Sequence, residues 1–391
     1  RSHADRRACR TPRLDARTVV FASPDGYHRA PRTCNSQAGM KVLLPTPPQR
    51  ILVKEVNWLG DIVMSLPALR AIRSAYPQAH LSVLIKRELA SFFDGATWIN
   101  EVIPYRLRKG LLHGLADRRQ IVSELKKRKF DLAVLLPNSF DSAVWPALAR
   151  IPYRAGFARD ARGLLLSHKT RPTPQILEVH QVHYYLQMLR ETIGVEGSPE
   201  AFTPDVSNSA TEKMQEFLSA KRRQPKSRLI ALAVAAAFGP AKEWPVERFA
   251  RLIDLLAEKH GAECVLVGAP NERRKSEEVA AASKAGAIVA AGETTVGEAL
   301  ALLSIVHGFA GNDSGSMHVS GALGKPTVGI YGSTRADRTG PLGPRTRVIY
   351  KKIECSPCLQ RTCRFGHYEC LKQIHAEDVA SALVELKALS S

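Results

Sequence analysis

From Met40 onward, short apolar runs alternate with stretches of helical periodicity, and this alternation constrains the fold more than any other feature. In the first half, the pattern predicts strands at 50–57, 80–85, 101–105 and 130–137, with helices at 62–76 and 118–129. Such an alternation is typical of parallel βαβ units. The first half of the chain is therefore expected to form an α/β domain with a parallel sheet.

The alternation stops at 194–227, which is rich in turn residues and holds one short amphipathic helix, and then resumes. Further strands are predicted at 228–234, 263–268, 287–292, 307–312 and 327–332. We expect two doubly wound domains in tandem, 40–208 and 209–391, with ligands bound at the carboxyl ends of the strands. Residues 1–39 are basic and lack periodicity, so they are expected to form a disordered extension.

The charge is strongly positive, with 56 Lys and Arg against 37 Asp and Glu, a formal net charge of +19. This balance suits an anionic partner such as a nucleic acid, a phosphorylated glycolipid or an acidic membrane surface. The longest apolar stretch, 229–238, is too short to span a membrane. Four of the seven cysteines lie within 355–370, unlike a secreted disulfide framework, so we expect a reducing, cytoplasmic location.

The segment AGNDSGSMHVSGALGKPTVGIYG (310–332) reads as a strand, a tight turn and a helix. Asp313, Ser314 and Gly315 form the turn, and free backbone N–H groups at that helix start can bind a diphosphate. Alternatively, Asp313 or Ser314 is a simple helix N-cap. Capping does not account for His318, which lies one turn into the helix and is either a ligand-binding residue or a buried core histidine.

Asp61 closes the segment NWLGD, which joins the first predicted strand to a helix. A carboxylate at a helix start can cap the helix or complement its dipole. At the carboxyl end of a strand it can equally be the general base for a substrate hydroxyl. The sequence leaves both roles open.

Two further charged residues follow strands of the second domain. Lys242 lies in the loop before a helix, where a cation can reach a phosphate, although an exposed loop lysine is the ordinary alternative. Glu272 lies where a ribose-binding carboxylate would stand in a nucleotide-binding domain, or it is simply a glutamate in the first turn of a helix.

The cysteines Cys355, Cys358, Cys363 and Cys370 are spaced C-x2-C-x4-C-x6-C. Four thiolates in sixteen residues can hold a structural zinc ion, with His367 as a spare ligand. Reduced packing cysteines or a local disulfide are the alternatives.

Four segments together resemble glycosyltransferase family 9, the heptosyltransferases, from about Lys41 to the C-terminus. They are NWLGD at 57–61, LPNSFDSA at 136–143, FGPAKEWP at 238–245 and the NDSG-x-MH block at 312–318. The resemblance is nearest to the type II members and implies a GT-B fold, with two Rossmann-like domains facing each other across a cleft. At 234–237 this chain reads VAAA where type II members commonly read PGAE, so the loop contacts of that Gly and Glu are expected to be missing.

The resemblance implies an inverting transfer of L-glycero-D-manno-heptose from ADP-heptose, with no metal cofactor required. The acceptor would be a Kdo2-lipid A-type lipopolysaccharide precursor bearing one heptose, reached by peripheral contact with the inner face of the inner membrane. Asp61 would be the catalytic base. The other implied roles concern the donor: Lys242 for the diphosphate, Glu272 for the nucleoside, Asp313 for sugar hydroxyls, Ser314 and Gly315 for the phosphates, and His318 for the sugar or diphosphate.

Three other functions compete with this one. A nucleic-acid-binding protein would explain the positive charge, but no nucleic-acid-binding motif is present and no nucleic acid is expected as a partner. A sugar-nucleotide epimerase would share the GT-B fold and need no acceptor. Within the family, a type I or a later-acting transferase is the alternative, and the LPNSFDSA segment favours type II by resemblance.

Overall fold

The computed structural model describes residues 19–22 and 44–389. Within the segment 1–39, which is expected to be disordered, the structure describes four residues, and they form strand β1 (Val19–Ala22), antiparallel to residues 346–350. These four residues, VVFA, are the longest apolar run of the segment, and β-branched and aromatic residues favour strand pairing. The remainder of 1–39 lies outside the described residues.

The first half contains a six-stranded sheet in which all neighbouring strands are parallel. Its strands are β2 (Arg50–Lys54), β3 (His80–Lys86), β4 (Glu101–Tyr105), β5 (Leu132–Leu135), β6 (Tyr153–Phe157) and β7 (His168–Thr170). The order across the sheet is β4-β3-β2-β5-β6-β7. Successive strands are therefore added on one side of β2 up to β4 and on its other side from β5 onward, so the strand order reverses between β2 and β5. A ligand is expected at this reversal point.

Helices cover both faces of this sheet, which is why its central strands are almost entirely buried. They are α1 (Leu59–Ala75), α2 (Leu111–Arg128), α3 (Phe140–Leu148) and α4 (Gln181–Ile193). Two 3-10 helices, Arg87–Phe93 and Arg162–Leu165, complete this half.

The second half repeats the arrangement after α5 (Asn208–Lys221). Its strands are β8 (Leu229–Ala233), β9 (Glu263–Leu266), β10 (Ile288–Val289), β11 (Gly308–Asn312), β12 (Thr327–Tyr331) and β13 (Thr346–Tyr350), in the order β1-β13-β12-β11-β8-β9-β10. The helices are α6 (Val246–His260), α7 (Arg273–Ala282), α8 (Val296–Ile305), α9 (Gly315–Ala322), α10 (Ala336–Thr339), α11 (Glu369–Lys372) and α12 (Ala376–Glu385). Apart from β1, all neighbouring strands are parallel.

The two halves pack together through helices on their facing sides. Helix α1 contacts α9, and the 3-10 helix Arg87–Phe93 contacts α8. One cluster of buried apolar side chains is continuous across this junction and includes Leu66 of α1 and Met317 of α9. The predicted α/β class is confirmed, whereas the domain boundary at 208/209 stays a prediction.

The sequence pattern located β2 to β5 of the first sheet and β8 to β12 of the second, including the edge strands β4 and β10. Strands β6, β7 and β13 were not predicted, because their residues mix polar and apolar positions and only part of each is buried. Among the residues that the structure describes, no helix combines the length and apolar character needed to span a membrane.

Candidate active site

The starts of α1 and α9 lie directly against each other, and two glycines permit this approach. A Cβ atom on Gly315 would lie 2.6 Å from Leu59 Cβ, and a Cβ on Gly60 would lie 2.6 Å from His318 Cδ2. Real Cβ atoms do not come so close to other carbon atoms, so only glycine fits at either position. Because Asp61 follows Gly60 directly, its carboxylate is brought beside the second domain.

Asp313 is the centre of the charged group on the second domain. It is buried just beyond the carboxyl end of β11, where its Oδ2 accepts hydrogen bonds from Lys242 Nζ at 2.5 Å and Thr334 Oγ1 at 2.6 Å. Burial alone would raise the pKa of Asp313, but His318 and Lys242 outweigh it and hold the pKa at about 2. Asp313 is therefore an anion at neutral pH, and it holds Lys242 in place.

His318 is buried between the two domains. Its Nε2 lies 3.8 Å from Asp313 Oδ1, a separation that allows charge interaction but exceeds a hydrogen bond. Its Nδ1 is buried and makes no hydrogen bond with the described residues. A buried polar atom without a partner costs free energy, so this nitrogen is available to a ligand.

Asp61 is half-buried, and its carboxylate makes no hydrogen bond with any residue that the structure describes. Burial raises its pKa, His318 and Lys242 partly counter that rise, and Asp313 adds to it. The net effect is a carboxylate that binds a proton more readily than an exposed aspartate. Such a group, close to the charged residues of the second domain, has the properties of a general base.

The start of α9 carries polar atoms that lack partners. Ser314 is the N-cap residue, yet its side chain makes no capping hydrogen bond, and its Oγ is buried and unpaired among the described residues. Asn312 Nδ2 and Ser333 Oγ, at the ends of β11 and β12, are likewise buried and unpaired there. Simple N-capping by Asp313 or Ser314 is therefore not what the structure shows. Together with the free N–H groups of the helix start, these atoms suit an anion.

Lys242 is placed by a short 3-10 helix, Pro240–Lys242, that packs on two other segments. The Ala241 N–H donates to the carbonyl oxygen of Arg361 at 3.0 Å, and the Lys242 ammonium lies 4.9 Å from the centroid of the Phe238 ring. After this helix, the Trp244 N–H donates to Asn312 Oδ1 at 2.9 Å. The predicted cation is thus tied to the strand that precedes Asp313.

Glu272 is not part of this charged group. It ends the 3-10 helix Pro270–Glu272 after β9, and its Oε2 accepts the Ala269 N–H at 2.8 Å. Burial raises its pKa, the bond from Ala269 lowers it, and Glu243 raises it further. It lies at the same edge of the sheet as Asp313, in the part that a nucleoside would reach if its diphosphate lay at α9.

The backbone of residues 234–237, where the sequence departs from the type II pattern, hydrogen-bonds to a carboxylate from another segment. The Ala236 N–H donates to Glu243 Oε1 at 3.2 Å, and Glu243 also forms an ion pair with Lys275. Sequence reasoning missed Glu243, although it follows Lys242 directly. The departure therefore does not leave the loop without a carboxylate partner.

The cysteine-rich loop does not form a preassembled metal site in the described part of the chain. There, no three His, Cys, Asp or Glu side chains converge as metal ligands require. Cys355 Sγ lies 3.9 Å from His367 Nε2. Burial raises the pKa of the Cys370 thiol to about 11, and the neighbouring cysteines contribute to that rise. Structural zinc stays a prediction.

Sequence reasoning also missed two buried ionisable residues, Lys54 and Glu55, at the end of the strand that leads to Asp61. Lys54 Nζ donates to Tyr105 Oη at 2.8 Å, and that hydroxyl donates to Asn57 Oδ1 at 2.9 Å. The carboxylate of Glu55 accepts from Ser65 Oγ at 2.7 Å. Burial lowers the pKa of Lys54 to about 7 and raises that of Glu55 to about 7. The only sequence signal was a Lys-Glu pair inside an apolar strand.

Comparison with known proteins identifies the family. The family model described as glycosyltransferase family 9 (heptosyltransferase) matches residues 118–369, more than half of the chain. Lipopolysaccharide heptosyltransferase 2 of Escherichia coli (strain K12) is 32% identical over 357 residues, 87% of this chain and 98% of that protein. The Salmonella typhimurium protein of the same name is 30% identical over 352 residues, 86% of this chain and 98% of that protein.

The solved structure of E. coli ADP-heptose LPS heptosyltransferase II is similar to this chain with a TM-score of 0.73 and 28% identity. The match covers 86% of this chain and 98% of that one. The predicted GT-B arrangement of two facing sheets is confirmed by this similarity. This chain belongs to glycosyltransferase family 9, the heptosyltransferases.

Proposed function

We propose that this chain transfers L-glycero-D-manno-heptose from ADP-L-glycero-D-manno-heptose to the first heptose of the lipopolysaccharide inner core, with inversion at the anomeric carbon. The observation that carries the proposal is the position of Asp61 opposite the group formed by Asp313, Lys242 and His318. A base on one domain and cationic groups on the other are what inverting sugar transfer requires. The relatives named lipopolysaccharide heptosyltransferase 2 support the choice of acceptor, and the solved structure named ADP-heptose LPS heptosyltransferase II supports the choice of donor.

The donor diphosphate lies at the start of α9. An ammonium group has three donors, so Lys242 can keep its bond to Asp313 and still donate to a phosphate oxygen. Ser314 and Gly315 supply N–H groups at the helix start, and the unpaired Ser314 Oγ gains a partner there. As the sugar bond to ADP breaks, these donors stabilise the charge that develops on the terminal phosphate.

Asp313 and His318 hold the heptose between the domains. The Asp313 carboxylate, ionised and fixed by Lys242, accepts hydrogen bonds from sugar hydroxyls. His318 Nδ1, unpaired among the described residues, bonds to the sugar or the diphosphate. Glu272, farther along the sheet edge, accepts from the nucleoside, as a carboxylate does at this position in nucleotide-binding domains.

Asp61 takes the proton from the attacking acceptor hydroxyl. Its raised pKa makes it a better proton acceptor than an exposed aspartate. An aspartate suffices because the transition state is oxocarbenium-like and the hydroxyl loses its proton late, as in inverting glycoside chemistry. The acceptor hydroxyl approaches from the first domain, and the leaving ADP stays on the second.

A segment of the first domain that combines exposed basic residues with exposed leucines faces the lipid that carries the acceptor. Arg106, Leu107, Arg108 and Lys109 are all exposed directly after β4, and Leu112 at the start of α2 is 80% exposed. Exposed leucines among basic residues suit an anionic membrane surface. Tyr105, which precedes this segment, hydrogen-bonds to Asn57 of the NWLGD turn, so the membrane contact lies near the Asp61 edge of the sheet.

A mass-spectrometric transfer assay tests the proposal. The purified protein is incubated with ADP-L-glycero-D-manno-heptose and Kdo2-lipid A, either bare or carrying one heptose. Addition of one heptose only to the heptosylated acceptor is the expected result. Transfer to the bare acceptor would make the chain a type I enzyme, and donor consumption without any acceptor dependence would favour an epimerase.

A further inference from the structure

The side chain of Asn138, at the carboxyl end of β5, has a fixed orientation. Its Oδ1 accepts from Arg162 Nη2 at 3.3 Å and from Tyr184 Oη at 3.1 Å. A guanidinium can only donate, so the oxygen of the amide must face Arg162 and the NH2 group must face away. That NH2 group makes no hydrogen bond with the described residues, and it is absent from their buried unpaired atoms, so it is open to solvent. Asn138 thus presents a donor that nothing in the described protein uses.

Arg162 maintains this orientation at a cost to the protein. It is fully buried and forms no ion pair with any described residue. Its Nε donates to the carbonyl oxygen of Phe157 at 2.8 Å, and its Nη1 donates to Ser142 Oγ at 3.1 Å and to the carbonyl oxygen of Pro137. Burial lowers its pKa to about 10. A guanidinium buried without an ion-pair partner is costly, and here hydrogen bonds to the carbonyl oxygens of Phe157 and Pro137, to Ser142 and to Asn138 compensate for that cost. The Asn138 side chain is therefore one member of a fixed hydrogen-bonded group.

The backbone that delivers Arg162 is strained as well. The two residues before it, Asp160 and Ala161, have φ values of 47° and 61°, a region that non-glycine residues seldom adopt. On the other side, a Cβ atom on Gly156 would lie 3.0 Å from Arg162 Nη2, so that glycine leaves room for the guanidinium. Strain of this kind is retained where the surrounding structure needs it, often at functional sites.

Asn138 lies at the same edge of the sheet as Asp61. The Leu136 N–H donates to the carbonyl oxygen of Lys54 at 3.2 Å, so β5 and β2 end side by side. Asn138 follows two residues after Leu136, and Asn57 follows three residues after Lys54. The open amide therefore lies at the reversal point of the sheet, where the acceptor must approach Asp61.

We propose that Asn138 binds the acceptor saccharide, donating from Nδ2 to one of its oxygen atoms, and that Arg162 is the positioning residue that sets this donor. The assignment rests on the proposed function, because it needs an acceptor sugar beside Asp61. It adds a binding contact on the first domain to the charged group on the second.

Asn138→Asp is the sharpest test, because it keeps the shape and exchanges the open donor for an acceptor. The KM for the heptosylated acceptor should rise about tenfold or more, because the hydrogen bond from Asn138 Nδ2 to the acceptor is lost. A carboxylate oxygen would then face the acceptor oxygen instead. The KM for ADP-heptose should stay unchanged. The melting temperature should hold or rise, because Arg162 gains an anionic partner.

Asn100→Asp is the matched control. The Oδ1 of Asn100 also accepts from an arginine, Arg73 Nη2 at 2.6 Å, but it lies before β4, at the amino end of the same sheet. This variant should leave both KM values within about twofold of the wild type. Tyr184→Phe, which removes the second donor to Asn138, should raise only the acceptor KM, by a smaller factor than Asn138→Asp.

Arg162→Lys tests whether Arg162 orients the Asn138 amide or only stabilises the fold. A positioning role predicts a raised acceptor KM with an unchanged donor KM in the fraction that folds. An unchanged acceptor KM in Asn138→Asp would overturn the assignment, as would equal changes in both KM values with a lowered melting temperature. If the wild-type protein transferred heptose to no acceptor, both the proposed function and this assignment would fail. If the wild type transferred heptose normally and Asn138→Asp kept its acceptor KM, only the assignment would fail.

Discussion

Gly60 and His318 belong to different domains, yet they touch so closely that a methyl group on Gly60 would lie 2.6 Å from His318 Cδ2. This contact lies between Asp61, which follows Gly60, and Asp313, whose Oδ1 is 3.8 Å from His318 Nε2. The distance between the base and the donor-binding group is therefore set by how closely α1 can approach α9.

Gly60→Ala should force α1 and α9 apart and slow catalysis without unfolding either domain. A displacement of about 1 Å between reacting groups costs roughly 100-fold in rate, so kcat/KM should fall by about that factor. Steady-state kinetics with both substrates measures the effect. The control is Gly114→Ala within α2, where the new Cβ meets the far end of the flexible Arg118 side chain at 3.1 Å and the Arg108 carbonyl oxygen at an ordinary contact distance of 3.6 Å. The control should keep full activity, and equal rates in both variants would show that the contact at Gly60 does not matter.

Replacement of Asp61 by Asn should remove the base and leave the shape of the site intact. General-base catalysis contributes roughly 10²- to 10⁴-fold, so kcat should fall within that range while ADP still binds. A variant that retains turnover within about tenfold of the wild type would exclude Asp61 as the base.

The pH dependence of the same reaction supplies a second test of Asp61. Only the ionised carboxylate accepts a proton, so activity should fall as the pH drops through its pKa. Because that pKa is raised, the acid limb of kcat/KM should have its midpoint above the value of about 3.9 for an exposed aspartate. A midpoint at or below that value would contradict the burial of Asp61 in solution.

Asp313 should make the stability of the protein depend on pH in the acid range. Its pKa of about 2 is below the unfolded value, so its contribution is complete above about pH 4 and is lost as the pH falls towards 2. The shift corresponds to about 2 kcal/mol. Urea unfolding between pH 5 and pH 2 should show a steeper loss for the wild type than for Asp313→Asn. Lys242→Met should also flatten the dependence, because it removes a partner that lowers this pKa, and equal slopes in all three proteins would refute the account.

The sequence located much of the second-domain site because its residues are consecutive. Asp313, Ser314, Gly315 and His318 fall within one strand-turn-helix unit, whose geometry follows from local rules. Thr334, Arg361 and Glu243 escaped prediction because their contacts depend on how separate loops pack together. The same reason hid Arg162, which reads as a surface residue in sequence and is fully buried in the fold.

Gly239→Ala should weaken donor binding through the loop that carries Lys242. A Cβ atom at this position would lie 2.7 Å from the carbonyl oxygen of Arg361, and φ is 139°. Displacement of this loop moves the Lys242 ammonium, so the KM for ADP-heptose should rise about tenfold while the acceptor KM changes little.

Gly261→Ala separates this close contact from backbone strain alone. Gly261 also has a positive φ, 56°, but an added Cβ would meet no atom within 4 Å. It lies after α6, so its replacement should lower stability by about 1 kcal/mol and leave both KM values unchanged. If Gly239→Ala behaved like Gly261→Ala, the packing of the Lys242 loop against Arg361 would have no role in donor binding.

Leu112→Glu should detach the protein from anionic membranes without altering chemistry. Leu112 is 80% exposed beside Arg106 and Lys109, so a carboxylate there opposes both the apolar and the electrostatic attraction to a lipid surface. Binding to vesicles that contain anionic lipid, measured by co-sedimentation, should fall at least about fivefold, since the exposed leucine and the local charge both change. Transfer to a de-O-acylated, water-soluble acceptor should be unaffected. Val384→Glu, an exposed apolar position on α12 in the other domain, should bind vesicles like the wild type, whereas equal loss in both variants would place the membrane contact elsewhere.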